Sequence, residues 1–147
     1  ISYEWDPCDG MKARELEQRA RTGAYVKEAG EDDRSIAMGL TGYKGRVHVA
    51  FGTPLPAGMA DARAVVAEVD RQVLGNYRLY PSNYLAFEQQ DALPPALSEW
   101  RKGFSALELA QEQQRFTARL EGLPEALRPY WLLQYANPVR SRLRVLP

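Results

Sequence analysis

The stretch Gly42-Tyr43-Lys44-Gly45-Arg46-Val47-His48-Val49-Ala50-Phe51-Gly52-Thr53-Pro54-Leu55 decides the fold expected from sequence. Val47, Val49 and Phe51 alternate with Arg46, His48 and Ala50, the period-two pattern of a half-buried strand. Gly42 and Gly45 bracket a turn before it, and Gly52-Thr53-Pro54 ends it. Downstream, Asp61 is a helix cap, and Ala62, Val65, Val66, Val69 and Val73 recur at helical spacing. That pattern predicts a helix over Asp61–Tyr77 with its valines turned inward. Upstream, Ile1, Tyr3 and Trp5 alternate with Ser2, Glu4 and Asp6 until Pro7, predicting a first strand.

Between the strands, Asp9 can cap a helix over Gly10–Thr22 that stops at Gly23. Its thin stripe of Met11, Leu16 and Ala20 puts it on the surface. Glu31, Asp32 and Asp33 precede Ser35, Ile36, Met38 and Leu40. Acids there complement a helix dipole, and the spaced calcium-loop pattern is missing. The order strand, helix, helix, strand, helix predicts an α/β fold: the edge of a mixed sheet with flanking helices.

The rest of the chain reads as helical. Tyr80-Pro81-Ser82-Asn83 breaks the pattern, and Ser82 or Asn83 can cap a short helix through Tyr84, Leu85 and Phe87. After Pro94-Pro95 comes a long polar helix, Leu97 to Leu120, with Phe104, Leu107, Ala110, Phe116 and Leu120 inward. A last helix, Leu127 to Ala136, closes at Asn137-Pro138. The division expected is therefore an α/β unit over residues 1–90 and a helical C-terminal extension over 91–147.

Composition narrows function. Of 147 residues, 45% are hydrophobic and 26% charged, the balance of a soluble globular domain. The net charge of zero argues against a general nucleic-acid binder. Charge is uneven: residues 1–100 carry 11 basic and 15 acidic side chains, residues 101–147 carry 8 and 4, and no acid follows Glu125. The single cysteine, Cys8, excludes an intramolecular disulfide, and the single histidine, His48, excludes a Cys/His zinc cluster. No cofactor or metal site is indicated. No apolar run reaches the roughly 18 residues of a spanning helix. Ile1 opens inside an apolar alternation, so the sequence reads as part of a longer chain.

Candidate chemistry is sparse. Histidine is the usual acid–base residue, but His48 has no identifiable partner, which favours a structural or surface role. Cys8 lies between Asp6 and Asp9, whose charge opposes a reactive thiolate. Asp9 reads as a cap before it reads as a ligand. Lys44 and Arg46 flank Gly45 and form either a phosphate-binding basic turn or a solvated one. In the tail, Tyr130, Trp131, Leu132, Leu133 and Tyr135 lie between Arg128 and the set Arg140, Arg142 and Arg144. Arg128, Trp131, Arg140, Arg142 and Arg144 are the candidate contacts to an anionic membrane surface; the same residues suit a packed terminal helix.

Three segments together carry a family resemblance. Ile1-Ser2-Tyr3-Glu4-Trp5-Asp6-Pro7-Cys8-Asp9 resembles the strand that closes the fourth conserved block of glycerolipid acyltransferases of the lysophosphatidate type. Residues 42–55 resemble the next strand, where V-x-F-G-x-P-L leads into a helix. Tyr80-Pro81-Ser82-Asn83-Tyr84-Leu85-Ala86 is similar to a segment of a proteobacterial subgroup. The resemblance covers about residues 1–90.

That resemblance implies acyl transfer from acyl-CoA or acyl carrier protein to a lysophospholipid or glycerol phosphate. It implies a peripheral position on the cytoplasmic side of the bacterial inner membrane. In the family, a histidine of an H-x4-D motif acts as general base, and E-G-x-R holds the phosphate. Neither motif is here: Thr53 stands five residues after His48, and Glu121-Gly122 is followed by Leu123-Pro124. No catalytic residue carries over, and the expectation is a C-terminal acyltransferase fragment, inactive alone. The alternative is a non-catalytic helical module for interaction or for a membrane surface.

Overall fold

The computed structural model describes residues 1–144. The elements run β1 (Ser2–Tyr3), α1 (Asp9–Thr22), α2 (Glu31–Thr41), β2 (Val47–His48), α3 (Ala62–Asn76), α4 (Pro81–Glu88), α5 (Ala106–Glu121) and α6 (Arg128–Leu143). Short 3-10 turns at Pro95–Leu97, Trp100–Gly103 and Glu125–Leu127 link the later helices.

This overturns the α/β mixed sheet expected from the sequence. Among the described residues the only sheet is the antiparallel pair β1–β2, with Ser2 opposite His48 and Tyr3 opposite Val47. Two further backbone bonds, Glu4 N to Arg46 O and Trp5 N to Lys44 O, both 3.0 Å, continue the pairing toward Gly45. Residues 49–51 keep the alternation that predicted a longer strand. They form none, because a strand needs a neighbour to satisfy its backbone and none lies beside them among the described residues. The protein is helical, and its organising element is the one expected to be a minor tail.

That element is α6. Trp131 is 1% exposed, and Ala136 and Val139 are fully buried. Trp5 stacks on Trp131 at 6.4 Å, Tyr135 tilts against both, and Phe116 of α5 closes on Trp131 at 5.3 Å. Such aromatic clusters combine large apolar burial with favourable ring geometry. Ala13 of α1 and Leu85, Ala86 and Phe87 of α4 complete the core, so residues on both sides of position 90 build it. Asn137-Pro138 was expected to end α6, yet the helix runs on to Leu143. Proline removes one helical donor. Here Ala136 and Val139, both buried beside it, hold the next turn in register.

Several caps follow the sequence. Gly23 ends α1 in the left-handed region, with φ 79°, and its N–H returns to Arg19 O. Asp61 Oδ1 accepts from Ala64 N at 2.8 Å at the start of α3. The helix expected from Leu97 instead begins after Ser105, whose hydroxyl and Glu108 form a reciprocal box. The buried face differs from the expected one. Leu107 is exposed, while Leu109, Glu112 and Phe116 point in.

The α3 valines are a second correction. Val66, Val69 and Val73 are 57%, 41% and 56% exposed, and α3 has no fully buried residue. The periodicity described an apolar face correctly, but nothing among the described residues covers it.

Candidate functional site

The N-terminal strand is tied to the helical core by short polar side chains. Ser82 Oγ, fully buried, donates to Glu4 O at 2.8 Å. Asn83 Oδ1 accepts from Tyr80 N at 2.8 Å, and its Nδ2 donates to Tyr135 O at 3.0 Å. The Pro81-Ser82-Asn83 run thus bridges β1, α4 and α6. The capping roles expected for Ser82 and Asn83 describe only part of this, since the cap residue of α4 is Tyr80. The Tyr135 hydroxyl accepts from Asp6 N at 2.9 Å and donates to Asp9 Oδ2 at 2.7 Å. Burial, then the Asp9 charge, raises its pKa far above the usual phenol value. Asp9 therefore lies in the first turn of α1 as an acceptor for Tyr135, with Arg119 at 3.5 Å.

Of the basic pair at the turn, Arg46 is committed to Glu4. Its Nη2 reaches Glu4 Oε1 at 2.7 Å, and its Nε and backbone N reach Oε2 at 3.2 and 3.1 Å. The rings of Tyr80 and Phe104 flank the guanidinium at 5.5 and 5.3 Å. The bond to Glu4 raises the Arg46 pKa further. Gly45 adopts φ 64°, and a Cβ there would stand 2.6 Å from Glu4 Oε2, so the turn requires glycine. Lys44 Nζ donates to Gly42 O at 3.2 Å. The guanidinium is spent on a buried carboxylate.

The tail residues divide by contact. Arg128 donates to Leu123 O and Glu121 O, both at 3.1 Å, at the end of α5. Arg140 holds Gln90 and Asp91 at 2.6 and 2.7 Å. Arg142 donates to Tyr77 O. Arg144 caps α6 and is exposed. Trp131, in the core, offers no apolar surface to a bilayer. Among the described residues, no helix is long and apolar enough to cross a membrane.

An apolar opening lies elsewhere, between residues 48–55 and α3. It is a half-open groove of about 250 Å³ lined by Ala50, Leu55, Val69 and Val73, with His48 and Asn76 among its polar groups. Gln72 Nε2 donates to Thr53 O at 3.1 Å and ties its two walls together. Among the described residues no hydrogen bond or ion pair engages the His48 side chain, so nothing there assembles a base with a nucleophile. Cys8 donates to Ser35 O at 3.3 Å. Burial, then Asp6 and Asp9, raises its thiol pKa, which keeps it a thiol. No group of three or more metal-ligating side chains exists among the described residues.

No protein-family model, no curated protein and no solved structure matches the chain.

Sequence reasoning missed two buried glutamates. Glu4 and Glu112 are 1% and 5% exposed. The signal for Glu112 was present: counted from the Ser105 cap, it falls on the stripe of Leu109, Phe116 and Leu120.

Proposed function

We propose that this chain is the C-terminal part of a glycerolipid acyltransferase, serving acyl transfer from acyl-CoA or acyl carrier protein to a lysophospholipid or glycerol phosphate at the cytoplasmic membrane face. The observation that carries the reading is the uncovered apolar face. Phe51 is 92% exposed, and Val47, Val49, Val66, Val69 and Val73 lie open beside it. A patch of this kind marks a surface that another structured element covers. In this reading the cover is the part of the enzyme that bears the H-x4-D base. The three family-like segments support it from a second direction: residues 1–9 and 80–86 meet in the core, and residues 42–55 supply the open wall.

In this reading the present chain contributes scaffold rather than chemistry, since the His48 side chain has no partner among the described residues and Arg46 is occupied. The test compares this chain with a longer one that includes the upstream sequence, measuring acyl transfer from a thioester to a lysophospholipid. Turnover is expected only from the longer chain, and Phe51→Asp in that chain lowers its folded yield. Turnover by the 147 residues alone, abolished in His48→Ala, overturns the proposal. So does an upstream sequence without H-x4-D.

A further inference from the structure

A buried pair of carboxyl groups joins α5 to the β1–β2 turn. Glu4 enters from the end of β1, its side chain 2% exposed, and accepts three bonds from Arg46, which leave one lone pair of Oε1 free. Glu112 enters from α5. Its Oε1 accepts from Arg115 Nη1 at 2.8 Å. Its Oε2 is buried and has no partner among the described residues. Glu4 and Glu112 are both buried here, and the Glu4 charge bears on the Glu112 carboxyl.

The surrounding charges decide the state of this pair. Arg46 already gives three donors to Glu4. Arg115 is half exposed and also approaches the Tyr43 hydroxyl at 3.5 Å. Glu108, one turn before Glu112, lies 4.0 Å from Arg46 and adds negative charge. Tyr80, before α4, presents its ring to Arg46. An ionised Glu112 would put a second buried carboxylate beside Glu4 with one oxygen lacking any donor, an expensive arrangement. A proton on Oε2 supplies the missing donor and removes the like-charge repulsion together.

We propose that Glu112 keeps its proton and donates it to Glu4, so that a carboxyl–carboxylate hydrogen bond latches α5 onto the β1–β2 turn and releases it as pH rises. Desolvation, then the Glu4 charge, raises the Glu112 pKa, which agrees with that geometry. The sign follows from linkage. The folded state binds this proton more tightly than the unfolded chain does. The stabilisation is therefore complete below the ordinary glutamate value of about 4.3 and is lost as pH rises through the folded value. Loosening α5 uncovers Phe116, and with it Trp131 and Trp5. The proposal is independent of the acyltransferase reading.

The 147-residue chain is the test object. Its glutamate carboxyls are titrated by carbon-13 NMR. Urea unfolding of wild type, Glu112→Gln and Glu112→Ala is followed across the acid-to-neutral range. One carboxyl is expected to titrate above the ordinary value and to vanish from the Glu112→Gln spectrum. The amide keeps a donor toward Glu4 without a titrating proton. The folded-to-unfolded ratio of wild type relative to Glu112→Gln should fall about tenfold per pH unit within the window. Amide exchange in α5 and tryptophan fluorescence should change over the same range. Parallel pH profiles for wild type and Glu112→Gln overturn the proposal. Should the variants fail to fold, the wild-type titration decides: all glutamates at or below the ordinary value also overturn it.

Discussion

Glu4 and Arg46 show how a residue can be visible in sequence while its role is not. In a strand that alternates Ile1, Tyr3, Trp5 against Ser2, Glu4, Asp6, the glutamate belongs to the polar face, which a two-sided sheet turns to water. Here α4 and α5 cover that face. Glu4 is buried, and Arg46, a candidate phosphate ligand from its place beside Gly45, becomes its counter-ion. Removing one member of such a pair strands the other's charge. Arg46→Gln should therefore destabilise the chain by about 3 kcal/mol, the lower end for a buried pair because Arg46 keeps partial solvent access. Urea unfolding checks this, and a loss below about 0.5 kcal/mol, the level of an ordinary surface substitution, contradicts it. The Glu4→Gln, Arg46→Gln double variant should recover part of the loss, since no unpaired charge remains.

At the scale of elements, caps govern where helices start and thereby which side chains face inward. Ser105 accepts from Glu108 N at 3.2 Å, and Glu108 Oε2 accepts from Ser105 N at 2.8 Å. This box starts α5 nine residues later than the Leu97 expected from apolar spacing, and 3-10 turns at Pro95–Leu97 and Trp100–Gly103 precede it. Ser105→Ala should cost about 1 kcal/mol, read as a lower urea midpoint with unchanged slope. Exchange of the first α5 amides should rise with it. The opposite lesson comes from α3. Its cap, limits and apolar stripe were legible, yet the stripe is open. Val66→Thr with Val69→Thr should shift stability by no more than about 0.5 kcal/mol per site in this chain, as for exposed positions. A loss of several kcal/mol would mean those valines are covered in solution.

At the scale of the molecule, apolar surface is unevenly spent. The core around Trp5, Phe116, Trp131 and Tyr135 is closed, whereas Phe51, Val49, Val66 and Val73 stay open. An exposed apolar face beside unpaired extended backbone is a template for association. The isolated chain should self-associate as its concentration rises, seen as a growing sedimentation coefficient. Phe51→Asp with Val73→Asp should suppress this without lowering the urea midpoint. A chain that stays monomeric at every concentration would contradict the exposure of this face.

The sequence by itself determined the local events. Gly23 stops α1 because only glycine takes its left-handed backbone cheaply, Asp61 starts α3 because its carboxylate meets an unpaired N–H, and α4 follows Tyr80-Pro81 because proline suits a first helical turn. Each depends on neighbours within four residues. What the sequence could not determine was where each apolar face is spent. Period-two alternation at residues 46–51 predicts a strand only if another strand lies beside it, and here the backbone beyond His48 has no such partner. Asn137-Pro138 predicts a helix end unless distant side chains hold the next turn, as the burial of Ala136 and Val139 does. Trp131 suited both a membrane surface and a core, and Trp5, 126 positions away in the chain, decided for the core. Local propensities amount to about 1 kcal/mol or less per residue, whereas burying a large side chain contributes several times more. Where the two compete, the tertiary contacts win, and those are written in no local stretch of the chain.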